Sequence, residues 1–171
     1  TFTRILTEKI QGTKAVILDT RKTTPNLREL EKEAVRIGGA QNHRMGLYDM
    51  IMIKDNHVDF AGGISNAIDS ARKYLKEYNK DLKIEIEVRN FNELEQVLAH
   101  GDVDRIMLDN FTPEDLSKAV ETIAGRFETE ASGGINSDTI RAYAETGVDF
   151  ISVGALTHHI RSLDMSLKAI A

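Results

Sequence analysis

The chain contains no cysteine, which excludes a disulfide framework, a thiolate metal site and a cysteine nucleophile. Only two prolines occur in 171 residues, and 29% charged against 41% hydrophobic residues is a globular balance, neither disordered nor collagenous. No run approaches the roughly 18 apolar residues of a membrane span, and no signal-peptide pattern opens the sequence. Aromatics are scarce at 6% and basic residues form no dense patch, so neither nucleic acid nor membrane is expected as a partner. These absences leave one globular domain, long enough for a sizeable core, whose composition permits a cytoplasmic location.

The net charge of −5 conceals an asymmetry. Residues 1–57 carry ten Lys/Arg against seven Asp/Glu, whereas residues 83–171 carry eight against sixteen. Solvated helix faces would explain this, and so would a basic and an acidic half meeting at one site. The sequence starts at Thr1, and residues 2–10 read as a helix that begins abruptly. The chain is therefore expected to enter a larger protein part-way, with residues 1–13 as a leading helical segment.

Short β-branched runs then alternate with segments of helical period, the pattern of βα units in a parallel sheet. Strands are predicted at 15–20, 50–55, 83–88, 104–109, 126–132 and 150–155. Helices are predicted near 27–37, 64–79, 92–100, 114–124, 136–146 and 161–170. Thr112-Pro113-Glu114 and Asn136-Ser137-Asp138 carry helix-start signals. Each strand has one apolar face, as in Ile84, Ile86 and Val88, and a second that turns polar or small, as in Glu85 and Glu87. Strands covered by helices on both faces would instead read as continuously hydrophobic. The expected fold is α/β, an incomplete (β/α) TIM-like barrel with about six parallel strands, and its active site belongs at the C-terminal strand ends.

Those ends carry three groups. Arg21, Lys22, His43, Arg44 and Lys54 are basic; two arginines suit a ligand with two carboxylates, since each guanidinium grips one by two parallel hydrogen bonds. Lys54 could alternatively form a Schiff base on a phosphorylated sugar, as in barrel aldolases. Glu87 and Asp109 are acidic, able to hold Mg²⁺, to accept from sugar hydroxyls, or to share a proton. Ser132, Gly133 and Gly154 mark glycine-bearing ends of the last two strands, where barrels keep phosphate sites, or else tight turns and nothing more. The plainer alternative for the whole set is an ion-pair network filling the barrel mouth, or a non-catalytic domain that binds phosphate ligands.

The segments Asp19-Thr-Arg-Lys-Thr-Thr-Pro25, Asn42-His-Arg44, Ile53-Lys-Asp-Asn-His57, Ile84-Glu-Ile-Glu87, Met107-Leu-Asp-Asn110, Glu130-Ala-Ser-Gly-Gly134 and Val153-Gly-Ala-Leu-Thr-His158 stand in that order. Together they resemble the quinolinate phosphoribosyltransferase family over essentially all 171 residues. The resemblance implies transfer of phosphoribosyl from phosphoribosyl pyrophosphate to quinolinate with decarboxylation, in de novo NAD biosynthesis. It also implies an N-terminal domain, a homodimer and a Mg²⁺ cofactor. By the same resemblance Arg21, Lys22, His43, Arg44 and Lys54 bind quinolinate. Lys22, Glu87, Asp109, Ser132, Gly133 and Gly154 bind phosphoribosyl pyrophosphate, with Glu87 and Asp109 near the metal and Lys54, Glu87 and Asp109 catalytic. Two departures stand out. The family's N-terminal domain, which supplies a further arginine to the partner's site, is absent, so this chain alone is expected to be inactive. His159 stands where the family commonly has serine.

Overall fold

The alternating runs do become parallel strands joined by helices. The computed structural model describes residues 2–158 and 164–170. In chain order the elements are α1 (Phe2–Lys9), β1 (Val16–Leu18), α2 (Arg28–Ile37), β2 (Ile51–Ile53), α3 (Asp55–Ala61), α4 (Ile64–Glu77) and β3 (Ile84–Val88). Next come α5 (Phe91–His100), β4 (Arg105–Asp109), α6 (Pro113–Ile123), β5 (Glu128–Ser132), α7 (Ile140–Ala144), β6 (Phe150–Ser152) and α8 (Ala155–His158).

All six strands are parallel, in the order β1-β6-β5-β4-β3-β2. Neighbours in sequence are neighbours in space, and β1 returns to pair with β6. A doubly wound sheet would reverse its order at a switch point, and this one does not. The sheet is a barrel opened along one seam, between β1 and β2, where among the described residues only an isolated bridge from Leu18 to Gln41 is made. The outward residues form the core: Ile84, Ile86, Val88, Ile106, Leu108 and Ile151 pack under Leu94, Val97, Leu116, Ile123 and Ile140, all at most 1% exposed. Each such side chain contributes about 1.5–3 kcal/mol of burial.

Helix boundaries agree with the periodicity where caps are strong. Thr112 accepts from the Asp115 N–H at 3.2 Å with Pro113 in the first turn, so α6 begins there. The structure departs from expectation in three places. Residues 136–146 were expected to be helical, but Asn136 accepts from the Asp138 and Thr139 N–H groups, an Asx turn that delays α7 to Ile140. Two short helices, α3 and α8, fall where none was expected. Finally, the helix expected near 161–170 does not form over the described residues 164–170; residues 161–163, like His159, lie outside the described residues. Met165, Leu167 and Ile170 are exposed there, and a short apolar stripe with nothing to pack against is not helical in water. Among the described residues no helix is long and apolar enough to cross a membrane.

Candidate active site

The C-terminal strand ends face one mouth, and its chemistry is divided by strand. Arg21 follows β1, while Arg44 precedes β2 and Lys54 follows it, so the cations flank the seam. Glu87 and Asp109 lie on β3 and β4; Ser132 ends β5 and Gly154 follows β6. Three side chains outside the expected set hold the basic loops. Arg28 donates to Thr23 Oγ1 at 3.1 Å and to the Arg21 and Met45 carbonyls at 3.2 Å each. Asp49 accepts the Met45 and Gly46 N–H groups. His57 Nδ1 accepts the Lys54 N–H at 2.9 Å, fixing the strand end that presents Lys54.

Arg21 has a buried Nε–H with no partner among the described residues, a donor left for a ligand. Arg44 donates to the Met50 carbonyl at 3.1 Å. Burial, and then the nearby charge of Arg21, lower the pKa of Arg44 more than the charges of Glu85 and Asp49 raise it, so two guanidinium groups stand close together with their repulsion incompletely offset. That arrangement favours an incoming dianion. Lys22 is exposed. Lys54 is ion-paired with Glu87 and 44% exposed, unlike the desolvated lysine of a Schiff-base enzyme.

On the acidic side, Asp109 accepts from Ser132 Oγ at 2.9 Å and Asn110 Nδ2 at 2.6 Å. Gly133 has φ +100°, and a Cβ there would meet the Asn110 backbone nitrogen at 2.8 Å, so only glycine lets β5 end this close to β4. At Gly154 a Cβ would come within 2.6 Å of His158 Nε2, so a larger residue would displace the tip of that side chain. The Gly133-Gly134 turn does not open a helix directly, since α7 starts at Ile140.

His43 is not at the mouth. Its ring is buried below, with Nε2 2.9 Å from Glu85 and 3.4 Å from Glu130, and Nδ1 accepts the Arg44 N–H at 2.7 Å. Both nitrogens thus face protein. Arg105 donates to Glu130 at 3.0 Å and to Glu128 at 3.1 and 3.0 Å, and stacks 3.9 Å over Phe150. Sequence reading missed this interior cluster as a unit. Burial would lower the His43 pKa, but Glu130 and Glu85 outweigh it and push it up to about 9. The Arg44 N–H opposes a second ring proton, because only a bare Nδ1 accepts. The 2.7 Å contact therefore decides for one proton, on Nε2, between the carboxylates. Burial and the charge of Glu130 push Glu85 up to about 7. Burial also works against Glu130, yet His43 and Arg105 carry its pKa below the usual range. The donor atoms of His43, Glu85 and Glu130 lie within 4.8 Å of one another, close enough for a metal ion, but the Arg105 guanidinium already stands beside them as counter-cation.

Residues 1–168 match the family described as quinolinate phosphoribosyl transferase, C-terminal domain. The chain is 47% identical over 98% of its length to the chloroplastic nicotinate-nucleotide pyrophosphorylase [carboxylating] of Arabidopsis thaliana, covering 52% of that protein. It is 44% identical, again over 98%, to a probable nicotinate-nucleotide pyrophosphorylase [carboxylating] of Bacillus subtilis, covering 56% of it. The structure of nicotinate-nucleotide pyrophosphorylase from Francisella tularensis superposes with a TM-score of 0.90 at 46% identity, over 97% of this chain and 57% of that one. The chain spans about half the length of the relatives it matches. It belongs to the quinolinate phosphoribosyl transferase family, of which it is the C-terminal domain.

Proposed function

We propose that this chain is the catalytic barrel of an enzyme transferring phosphoribosyl from phosphoribosyl pyrophosphate to quinolinate, releasing pyrophosphate and CO₂ and leaving nicotinate mononucleotide. The observation that carries this is the division of the mouth. Two neighbouring arginines, one with an orphaned buried donor, face two carboxylates across the barrel. Arg21, Lys22, Arg44 and Lys54 bind quinolinate, with His43 supporting from beneath. Glu87 and Asp109 hold the ribose hydroxyls, Lys22 reaches the phosphoribosyl pyrophosphate, and Ser132, Gly133 and Gly154 line its 5′-phosphate.

The pyridine nitrogen attacks C1′ as pyrophosphate departs, through an oxocarbenium-like state whose positive charge faces Glu87 and Asp109. The ring nitrogen, then cationic, stabilises the carbanion left by CO₂, with Lys54 beside the departing carboxylate. No covalent enzyme intermediate forms; the residues act by position and charge. Two hard carboxylates, with the rest of the shell left to phosphate oxygens and water, fit Mg²⁺ at Glu87 and Asp109. When bound, it would offset charge on the leaving pyrophosphate. The remaining cation is proposed to come from an N-terminal domain in a homodimer, and the location to be cytoplasmic, consistent with a cysteine-free sequence.

The test is release of pyrophosphate and CO₂ by this chain, alone and with the N-terminal half supplied, using quinolinate and nicotinate in turn. We expect CO₂ from quinolinate only when both halves are present. Pyrophosphate release with nicotinate alone would redirect the substrate. A borohydride-trapped Lys54 adduct with a phosphorylated sugar would replace the reading with an aldolase. Tight ligand binding without turnover from the two halves together would make the domain a binding module.

A further inference from the structure

Inside the barrel, below every residue assigned to a ligand, ionic side chains are joined end to end. Lys83 reaches Glu128 at 3.1 Å, Glu128 meets Arg105 at 3.0 Å, and Arg105 meets Glu130 at 3.0 Å. Glu130 and Glu85 close on His43 Nε2, and His43 Nδ1 receives the Arg44 N–H. The chain of contacts thus runs from the exposed lower rim to a backbone hydrogen bond under a mouth arginine. Both Glu85 oxygens, Glu130 Oε1 and His43 Nε2 are buried, and none has a well-aligned hydrogen bond. Buried groups left so, the two carboxylates at 0% exposure and His43 at 9%, are costly, and the arrangement calls for a role beyond stability.

We infer that Glu85 and Glu130, anchored by Arg105, are positioning residues that keep the His43 proton on Nε2 and leave Nδ1 bare, so that Nδ1 seats the Arg44 backbone for ligand. Carboxylates next to one imidazole nitrogen fix the tautomer and hence what the other nitrogen can do. The backbone on the near side is held independently. Asp19 Oδ1 accepts the His43 N–H at 2.9 Å, while Lys32 donates to Asp19 and to the His43 carbonyl. Changing an inner carboxylate should therefore alter the ring without dislodging the loop. What Arg44 grips rests on the function proposed above; how it is seated does not.

The experiment uses this chain labelled with ¹⁵N-histidine, as wild type and as Glu130→Gln, with Glu85→Gln as a second variant if the first does not fold. The control is Thr129→Val, which loses contacts to Asp149 on the outer face of β5. Side-chain ¹⁵N spectra should report a bare Nδ1 on His43 in wild type and control. Each carboxamide removes one of the two anionic acceptors of the Nε2 proton, so a form protonated on Nδ1 should become populated, most in Glu85→Gln, whose carboxylate is the nearer at 2.9 Å. Calorimetry should show quinolinate affinity falling about tenfold, the scale of one lost hydrogen bond, while inorganic phosphate affinity holds. A protonated Nδ1 in wild type, or an unchanged spectrum and affinity in the variants, would overturn the inference. So would stoichiometric zinc binding lost with Glu85→Gln, which would make the cluster a metal centre. If wild type shows the bare Nδ1 and the variants shift it, but no form binds quinolinate, the seating stands and the substrate assignment fails.

Discussion

Glu85 and Glu87 stand on the same face of β3, two residues apart, and Glu130 stands in the same relation to Ser132 on β5. A rise of about 7 Å separates the members of each pair, yet they meet different surroundings. Glu85 and Glu130 are sealed at 0% exposure among Arg105, His43 and each other. Glu87 meets the partly exposed Lys54, and Asp109, above Arg105 on β4, is partnered by two neutral groups. One turn of the pleat separates two carboxylates sealed at 0% exposure from Glu87, itself only 7% exposed but paired with a half-exposed lysine, and from the partly exposed Asp109. A carboxylate in the wall of a barrel therefore takes its role from its depth, not its type.

The sharpest way to break this contrast is from below. Arg105→Met would leave Glu130 and Glu85 buried without their main counter-charge, and we expect a loss of about 3–5 kcal/mol in chemical denaturation. A loss under about 1 kcal/mol would mean that water or an ion enters the interior. A milder probe is pH. Glu85 is pushed up from 4.5 to about 7, so the folded state holds its proton more tightly than the unfolded chain. Its contribution to stability is complete below the unfolded value and is lost as pH rises through about 7. The melting temperature should fall with that rise, and less so in Glu85→Gln. A flat profile would place the proton elsewhere. In the upper layer, Lys54→Met should cost about 1–3 kcal/mol of stability, since the lysine side chain is 44% exposed and solvent screens the pair, but Glu87, 8% exposed, is left without it. Turnover should fall far more than stability suggests, and matched losses would make Lys54 structural.

Which layer a residue occupies was only half legible in the sequence. Alternation in KIEIEV puts Glu85 and Glu87 on one face, and the strand ends identify Lys54, Glu87 and Asp109 as neighbours of the mouth. Burial depends on strand pairing and on what covers each side chain. Register aligns Glu85 with Arg105 but Glu87 with Met107 and so with Glu130, and it is Arg105 and His43 that seal Glu130, which a single strand does not reveal. His43 reads as a mouth cation because Arg44 follows it, but the chain turns there and sends the two side chains to different levels. Lys32 shows the same limit. On an amphipathic helix it reads as solvent-facing, yet it is 1% exposed and bound to Asp19, a partner 13 residues away that faces outward from the barrel. The short helices α3 and α8 lack the length that makes a helical period detectable. Their starts are set by His57 on the Lys54 backbone and by the chain turning at Gly154, both three-dimensional facts.

The smallest expected change in stability belongs to Asp109→Asn, and it gives the most selective test of the upper layer. The carboxylate accepts from Ser132 through one oxygen and from the Asn110 amide through the other. An asparagine keeps the first of these and exchanges the second for solvent, at a partly exposed position. Unfolding should shift by no more than about 0.5 kcal/mol, the range of surface substitutions. Function should separate from stability, since the lost charge faces the developing positive charge on the ribose and the proposed Mg²⁺. With the N-terminal half supplied, turnover should fall on the order of 100-fold, the scale of one preorganised electrostatic contact at the transition state. Half-saturation should require more Mg²⁺, whereas quinolinate affinity, set by the cations across the mouth, should be unaltered. Overlaying metal titrations of variant and parent would assign Asp109 to the wall of the barrel and place the division between the layers one residue pair higher.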